Sequence, residues 1–255
     1  MKEIIVSSVD EYIKHIETNH IPNAWFRGVS SSKFLPQPGL VWKKLRAIEN
    51  SLEHDFLISY KAYINNDNLN KWEIYALMQH YGLPTRLLDW TQSALVGLYF
   101  ALTTNPESDK NRVVWVLDPY ELNKRTVDRE ALYCPSVMQD RNISEDMNID
   151  KYLPPNLSDT GSKKLPKKPI AINTSKVLKR VSAQKGCFTL HGLNDDSIDK
   201  YLDDPEHFYM ITISIKSDVK RKNMINTLAI LGIDEEFIYQ DLSSLCDRIN
   251  RTRGV

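Results

Sequence analysis

Apolar residues recur at helical spacing through much of the first half of the chain. Val9, Tyr12 and Ile16 are one example, with Ser8 or Asp10 available as a cap at the helix start. A longer stretch from 91 to 103 is apolar on most faces and predicts a helix in the core. The pattern predicts helices over residues 9–20, 40–64, 71–80 and 91–103.

Strand patterns are fewer and more scattered. An aromatic segment at 24–27 predicts a short strand broken by Gly28, and β-branched runs at 112–117 and 209–215 predict two more. Two closing helices are expected at 217–231 and 235–249. Because the strands show no βαβ rhythm, we expect an α+β fold, with a helical N-terminal half packed on a small mixed or antiparallel sheet.

Residues 120–185 differ from the rest. Five prolines and few apolar clusters predict a loop-rich insertion on the surface of a single domain spanning 1–255. Charge is also sorted here, since 161–194 holds eight basic residues and no acid, between two acidic segments. The basic residues of 163–185 are a candidate contact for the phosphates of a nucleic acid such as RNA; the alternative is a solvated loop.

Overall composition excludes several classes of protein. The 33 basic and 33 acidic residues cancel, which argues against a uniformly basic coat for nucleic acid or membrane binding. Three scattered cysteines indicate a reduced protein without a thiolate metal site, so no metal is expected. The longest apolar run has nine residues, about half a membrane span. We therefore expect a cytoplasmic protein that does not engage the membrane.

The densest group of polar and aromatic residues lies between Gln79 and Trp90. Gly82 and Pro84 predict a tight turn between two helices there. Loops held by rigid scaffolds often carry function, so we expect five side chains to converge on one site, namely His80, Tyr81, Thr85, Arg86 and Asp89. The structural alternative is an Arg86–Asp89 ion pair, with His80 capping the preceding helix.

Two further segments carry candidate chemistry. Arg27, between Phe26 and Gly28, offers a planar donor for phosphate or carboxylate, and the glycine permits close approach. Gln184 precedes a strand-like segment that contains Cys187. That cysteine is either a nucleophile activated by neighbouring basic groups or, in the structural alternative, a small buried apolar residue. Near the C-terminus, Glu235 and Glu236 open a predicted helix, where acids are also favoured by the helix dipole.

These segments together resemble the FRG domain, a bacterial family named for its Phe/Tyr-Arg-Gly motif. That motif is Phe26-Arg27-Gly28 here, and the stretches 79–90 and 94–101 match the most distinctive family signature nearly residue for residue. Residues 183–188 resemble a later Ala-Gln-x-Gly-x-Phe motif. The closing segment departs from the family pattern, with Tyr239-Gln240-Asp241-Leu242 in place of Phe-Pro-Asp-Leu. The resemblance covers roughly 25–245.

The aromatic-Arg-Gly strand is in turn similar to the first motif of ADP-ribosyltransferases. That resemblance implies an ADP-ribosyltransferase-like fold and an NAD-dependent mono-ADP-ribosyltransferase that modifies a nucleic acid, RNA above all, or a protein. It also implies a toxin of a toxin–antitoxin or anti-phage system, with an antitoxin protein as partner. Arg27 would hold NAD, and the pocket around it would include Phe26, Gly28, Tyr81, Thr85, Arg86 and Gln184. Catalysis would use Arg27, His80 and Asp89, with Glu235 or Glu236 as the late acid, for which Asp89 and Asp241 compete.

Two other functions stay open from the sequence. The same pocket could belong to a non-catalytic module that senses a nucleotide or another anion in a defence system. A nuclease using His80, Arg86 and Asp89 is disfavoured, because no carboxylate cluster for Mg²⁺ is evident.

Overall fold

Seven strands form one mixed sheet in the computed structural model, which describes residues 3–64, 68–105, 111–137, 140–144, 147–158, 165–175 and 179–254. The strands are β1 Glu3–Val6, β2 Trp25–Val29, β3 Leu87–Thr91, β4 Arg112–Leu117, β5 Ile170–Asn173, β6 Gly186–Leu190 and β7 Phe208–Ile213. Their order across the sheet is β1-β7-β4-β2-β3-β6-β5. Only the β1–β7 pair is parallel among these neighbours.

Ten α-helices accompany the sheet in the described ranges. They are α1 Val9–Thr18, α2 Gly39–Trp42, α3 Glu49–Ser59, α4 Lys71–His80, α5 Ala94–Thr103, α6 Pro119–Val127, α7 Lys179–Ala183, α8 Asp218–Ile230, α9 Glu235–Tyr239 and α10 Leu242–Arg253. Short 3-10 helices lie at Arg46–Ile48, Tyr60–Tyr63, Ile149–Tyr152 and Ile198–Lys200. The predicted α+β class is confirmed, with a larger sheet than expected. Within the described ranges, no helix combines the length and the apolar character that crossing a membrane requires.

The contact between β2 and β3 is much shorter than the others in the sheet. Strand β2 pairs with β4 over five residues, whereas it pairs with β3 only through Phe26 and Thr91. Beyond that pair the two strands diverge. We call this junction the seam. It separates the four strands β1-β7-β4-β2 from the three strands β3-β6-β5.

Apolar side chains cover both faces of the sheet. One face of the four-strand part packs against α1, α5 and α8 around Phe26, Val114 and Ile211. The same face of the three-strand part packs against α4 around Leu87 and Phe188. The opposite face carries the cluster that contains Trp25, Val29, Leu88, Trp90 and Trp115.

Several predicted elements are confirmed. Helix α4 lies where it was predicted, α1 ends two residues early, and α5 begins three residues late because Thr91 belongs to β3. Ser8 caps α1 by accepting from the Glu11 amide. Strand β4 is confirmed over its full predicted range, and β7 is confirmed with its bounds shifted by one or two residues. The apolar periodicity of these segments is unambiguous, so the local pattern alone was enough to predict them.

The single helix predicted over 40–64 is wrong. The chain there forms α2, a 3-10 turn, α3 and a second 3-10 turn. Lys44 has φ of 58°, a left-handed conformation that no continuous helix contains. The helix predicted over 235–249 is likewise divided into α9 and α10, at Gln240 with φ of 56°. Apolar residues keep helical spacing across both breaks, so the spacing alone did not reveal them.

Two predictions about strands also need correction. The strand at 24–27 is not broken by Gly28, since β2 continues to Val29. The stretch 79–90 is not a simple turn between two helices, because β3 lies between α4 and α5.

Where the structure describes it, the segment 120–185 is largely irregular, but it does not simply lie on the surface. Ile149, Tyr152, Ile170 and Ile172 are almost fully buried and pack with α4 in the second core cluster. The prediction of a surface segment was wrong because isolated apolar residues in irregular chain gave no periodic signal.

Candidate functional site

A cavity of about 460 Å³ lies at the seam, where β2 and β3 diverge. Its size is within the roughly 300–1,000 Å³ typical of small-molecule sites. Because the strands separate there, the cavity is lined from both faces of the sheet. The contributing elements include β2, α2, the end of α4, β3, the end of α5 and α7, with lining residues that include Arg27, Phe34, Trp42, His80, Asp89 and Gln184.

Arg27 bridges the seam. Its Nη1 donates to the backbone carbonyl oxygen of Asp89 at 2.8 Å, and its Nε is buried without a hydrogen-bond partner among the described residues. Burial lowers the pKa of Arg27, an effect that Asp89 opposes, and the guanidinium still remains charged at neutral pH. The site therefore holds a partly dehydrated cation with unused donor capacity.

Phe26 and Gly28 flank this arginine on the other face of β2. Phe26 is buried in the first core cluster and also lines the cavity. Gly28 lines the cavity too, but its lack of a side chain is what allows helix α5 to pack closely against β2. A Cβ atom there would lie well under 3.0 Å from the carbonyl oxygen of Gly97 and the amide nitrogen of Ala101. The close approach expected at this glycine is thus made by a helix backbone.

Asp89 is exposed, and it is the one carboxylate among the described lining residues. Its Oδ2 accepts a hydrogen bond of 2.6 Å from Nε2 of Gln79. The same Gln79 accepts at Oε1 from the hydroxyl of Thr85, 2.7 Å away. Thr85, which is buried, in turn accepts from the Leu87 amide at 3.0 Å. A chain of three hydrogen bonds from the backbone thus orients the carboxylate, and Thr85 acts through Gln79 rather than at the cavity.

His80 lines the cavity at the C-terminus of α4. Burial lowers its pKa, and the positive charge of Arg180 lowers it further against the opposing effect of Asp89. Its ring is therefore neutral at pH 7 and can accept a proton. Tyr81 contacts the His80 ring edge to face at 4.9 Å, but it is 70% exposed and lies outside the cavity lining.

Arg86 lies in the core, away from the cavity. It is 1% exposed and donates to Oε1 of Glu49 at 2.7 Å and to the carbonyl oxygens of His191 and Tyr152. Burial opposes its charge, but Tyr75 and Glu49 raise its pKa overall. The expected convergence of five side chains is therefore found only for His80 and Asp89. Neither an Arg86–Asp89 pair nor a trio of His80, Arg86 and Asp89 forms.

Gln184 lines the cavity and also connects two elements. Its side-chain Nε2 donates to the carbonyl oxygen of Ile238 in α9 at 3.0 Å, and its backbone carbonyl oxygen accepts from the Thr91 hydroxyl at 2.6 Å. Arg180 strengthens the same connection, since its guanidinium lies over the Tyr239 ring at 4.7 Å. Gln184 and Arg180 therefore hold α9 against the cavity wall.

The two candidate late acids face α10. Glu235 pairs with Arg251 at 2.9 Å and Glu236 pairs with Arg248, so neither lies in the cavity lining. Asp241, the competing acid, caps α10 by accepting from the Ser244 amide. Cys187 is fully buried in β6, as its structural alternative required. Glu235 and Glu236 thus lie at the start of α9, where the helix dipole favours acids, and are also ion-paired, whereas Asp241 is a helix cap.

The basic segment is divided in space. Arg180 lines the cavity, with Lys179 and Lys185 exposed on the same short segment. Lys168 donates instead to the Arg125 carbonyl at the end of α6. Lys167, next to Lys168, is exposed. The other three basic residues of the block lie outside the described residues; they are Lys163, Lys164 and Lys176.

Sequence reasoning missed Phe34, Trp42 and Gln79 as lining residues. Trp42 was assigned to a long amphipathic helix, whereas it ends the four-residue helix α2, which follows Pro36 and Pro38. In the part of the chain that the structure describes, no three His, Cys, Asp or Glu side chains group as metal ligands.

Residues 22–110 match the family model of the FRG domain. The chain therefore contains an FRG domain, and the matched region holds both the Phe26-Arg27-Gly28 motif and the 79–90 signature. Arg27, His80 and Asp89 all come from it, whereas Gln184 and α9 lie beyond it. Neither a curated protein nor a solved structure matches the chain.

Proposed function

We propose that this protein is an NAD-dependent mono-ADP-ribosyltransferase that modifies a macromolecule in the bacterial cytoplasm. The observation that carries the proposal is the seam cavity, in which the incompletely paired cation of Arg27 and the oriented carboxylate of Asp89 lie on neighbouring strands. A cation for a pyrophosphate and an acid for a positively charged ribosyl centre are the two charges that this reaction requires.

Arg27 is the residue that would hold the NAD pyrophosphate. Its planar guanidinium suits two phosphate oxygens, and its one hydrogen bond to a described residue is the one from Nη1 to the Asp89 carbonyl.

Asp89 and His80 would perform the chemistry. As the bond between ribose C1′ and the nicotinamide nitrogen breaks, its electron pair leaves with nicotinamide, and the carboxylate of Asp89 stabilises the positive ribosyl centre. An oxygen or nitrogen of the acceptor bonds to C1′ and transfers its proton to neutral His80. In this scheme Asp89 takes the acid role rather than Glu235 or Glu236, which are paired to α10.

The acceptor we favour is RNA, with protein as the other candidate. Arg180 at the cavity and the neighbouring exposed Lys179 and Lys185 supply positive charge where a phosphate backbone would pass. A toxin that modifies RNA would need an antitoxin protein to restrain it, in a toxin–antitoxin or anti-phage system.

The second candidate is a non-catalytic module that senses a nucleotide or another anion in a defence system. One observation favours it, namely that Asp89 is the one acid among the described lining residues and already accepts a bond from Gln79. In that case Arg27 would bind the anion and no bond would break.

The deciding experiment combines NAD labelled in its adenylate part with RNA and protein from cell extract. We expect label to enter RNA or protein, and Arg27→Ala to lower the rate by about 10- to 150-fold, the value of a lost charge-assisted hydrogen bond of roughly 1.5–3 kcal/mol. Arg129→Ala, which removes an exposed arginine outside the cavity, is the matched control.

Three outcomes separate the candidates. Label transfer that depends on Arg27 and Asp89 supports the enzyme. NAD binding that depends on Arg27, without transfer or hydrolysis, supports the sensing module. If the folded protein neither binds nor consumes NAD, the enzyme proposal is wrong.

A further inference from the structure

Trp42 is the one exposed tryptophan of the five in the chain. It is 54% exposed, whereas Trp25, Trp72, Trp90 and Trp115 are at most 4% exposed. It nevertheless lines the seam cavity. A large apolar ring left half in water beside a cavity leaves a surface on which another ring can be buried.

The backbone that carries Trp42 is held firmly. Leu40 is fully buried, and its amide donates to the Thr85 carbonyl oxygen at 3.3 Å. Trp42 lies about 200° further round the helix and therefore projects away from the core. On either side of α2, Gln37 donates to the Asp195 carbonyl and Arg46 pairs with the Asp195 carboxylate. The ring is thus presented from a fixed support.

Trp42 and Arg27 approach the cavity from the same side of the sheet. Side chains alternate along β2, so Arg27 shares the face of Trp25 and Val29. Phe34 packs on that same face and contacts the Trp42 ring with centroids 5.7 Å apart and planes tilted by 58°. A cation and an aromatic surface therefore lie on one side of the cavity, with His80 and Asp89 contributed from other elements.

We infer that the Trp42 ring stacks on the planar heterocycle of the nucleotide whose phosphate Arg27 binds. This inference rests on the proposed function and names a binding residue that the sequence did not indicate. A phosphate and a heterocycle are joined through a ribose in a nucleotide, and the paired cation and ring match that chemistry. Base–aromatic stacking contributes about 1–3 kcal/mol per base, so Trp42→Ala should weaken binding by about 5- to 150-fold.

Tryptophan fluorescence reports this contact directly. Exposed Trp42 is expected to emit at longer wavelength than the four buried rings, and stacking of a nucleotide should quench that emission. We would titrate wild type, Trp42→Phe and Trp42→Ala with NAD, ADP-ribose and nicotinamide mononucleotide, and measure affinities independently by calorimetry. Tyr63→Ala, which removes an 85% exposed aromatic outside the cavity lining, is the control for loss of a surface ring.

The expected result is quenching in wild type that is absent from Trp42→Phe, with affinity retained in part by Trp42→Phe and lost in Trp42→Ala. ADP-ribose and nicotinamide mononucleotide identify which heterocycle stacks. If NAD binds wild type and Trp42→Ala equally, the stacking inference is overturned while the proposed function stands. If none of the three probes binds wild type, both are overturned.

Discussion

The close packing of α5 against Gly28 of β2 predicts that a larger residue at this position destabilises the protein. A methyl group at this position would lie well under 3.0 Å from the Gly97 carbonyl oxygen and 3.1 Å from the Ala101 Cα. Carbon–oxygen contacts in proteins are normally about 3.3–3.6 Å. The added atom meets backbone on a helix that is buried in the first core cluster, so it cannot be relieved by turning a flexible side chain.

The expected cost of Gly28→Ala is about 3 kcal/mol. Overpacking a core costs roughly 1–3 kcal/mol, and backbone obstruction places this site at the upper end. The φ angle of Gly28 is outside the left-handed region, so backbone strain adds nothing. For a domain of this length, about 3 kcal/mol corresponds to a fall in Tm of roughly 6–12 °C.

Gly39→Ala is the matched control. Gly39 also lines the cavity and has an ordinary φ, but a Cβ atom there would find the Pro84 Cα at 4.0 Å as its nearest neighbour. Calorimetry should therefore show a Tm close to wild type for Gly39→Ala and a large fall for Gly28→Ala. Equal melting temperatures for the two variants would refute the interlocking of Gly28 with α5.

Two further predictions concern buried polar groups. Arg86→Met should lower the free energy of unfolding by about 3–5 kcal/mol, because it leaves Glu49 without its buried partner. Urea denaturation should show that the double variant Arg86→Met/Glu49→Met is less destabilised than this single variant. Burial, with nearby Arg46, lowers the pKa of fully buried His191 to about 3. Below about pH 6.5 the unfolded chain binds this proton and the folded chain does not, so wild-type stability should fall by up to about 1.4 kcal/mol per pH unit as pH decreases toward 3. Urea titrations from pH 7 to 4.5 should show that slope removed in His191→Phe; an unchanged slope would contradict it.

The fold could be predicted where local signals agree with one another. Helix α4 begins with a reciprocal cap between Asn70 and Glu73 and carries a regular apolar pattern, so its bounds followed from sequence. The helix predicted over 40–64 failed because Lys44 adopts a left-handed conformation with no glycine to announce it. Such breaks are set by tertiary contacts of the flanking segments, which no periodicity records.

The candidate site was predictable only in part, for a similar reason. Arg27, His80 and Asp89 stood out by residue type and do line the cavity. Arg86 stood out equally and is a core residue, since sequence alone cannot tell whether an arginine beside a turn points into a cavity or into the core. Glu235 and Glu236 precede their arginine partners by 16 and 12 positions, respectively, and those ion pairs depend on how α9 and α10 pack.

The seam has a mechanical consequence. One residue pair of β2 and β3 joins the two parts of the sheet directly, and the Arg27 bond to the Asp89 carbonyl lies immediately beyond it. Across the seam, a side-chain hydrogen bond therefore stands where a further backbone pair of β2 and β3 would be expected. A ligand that binds the guanidinium competes with the Asp89 carbonyl for it, so ligand binding and this link between the two strands involve the same arginine.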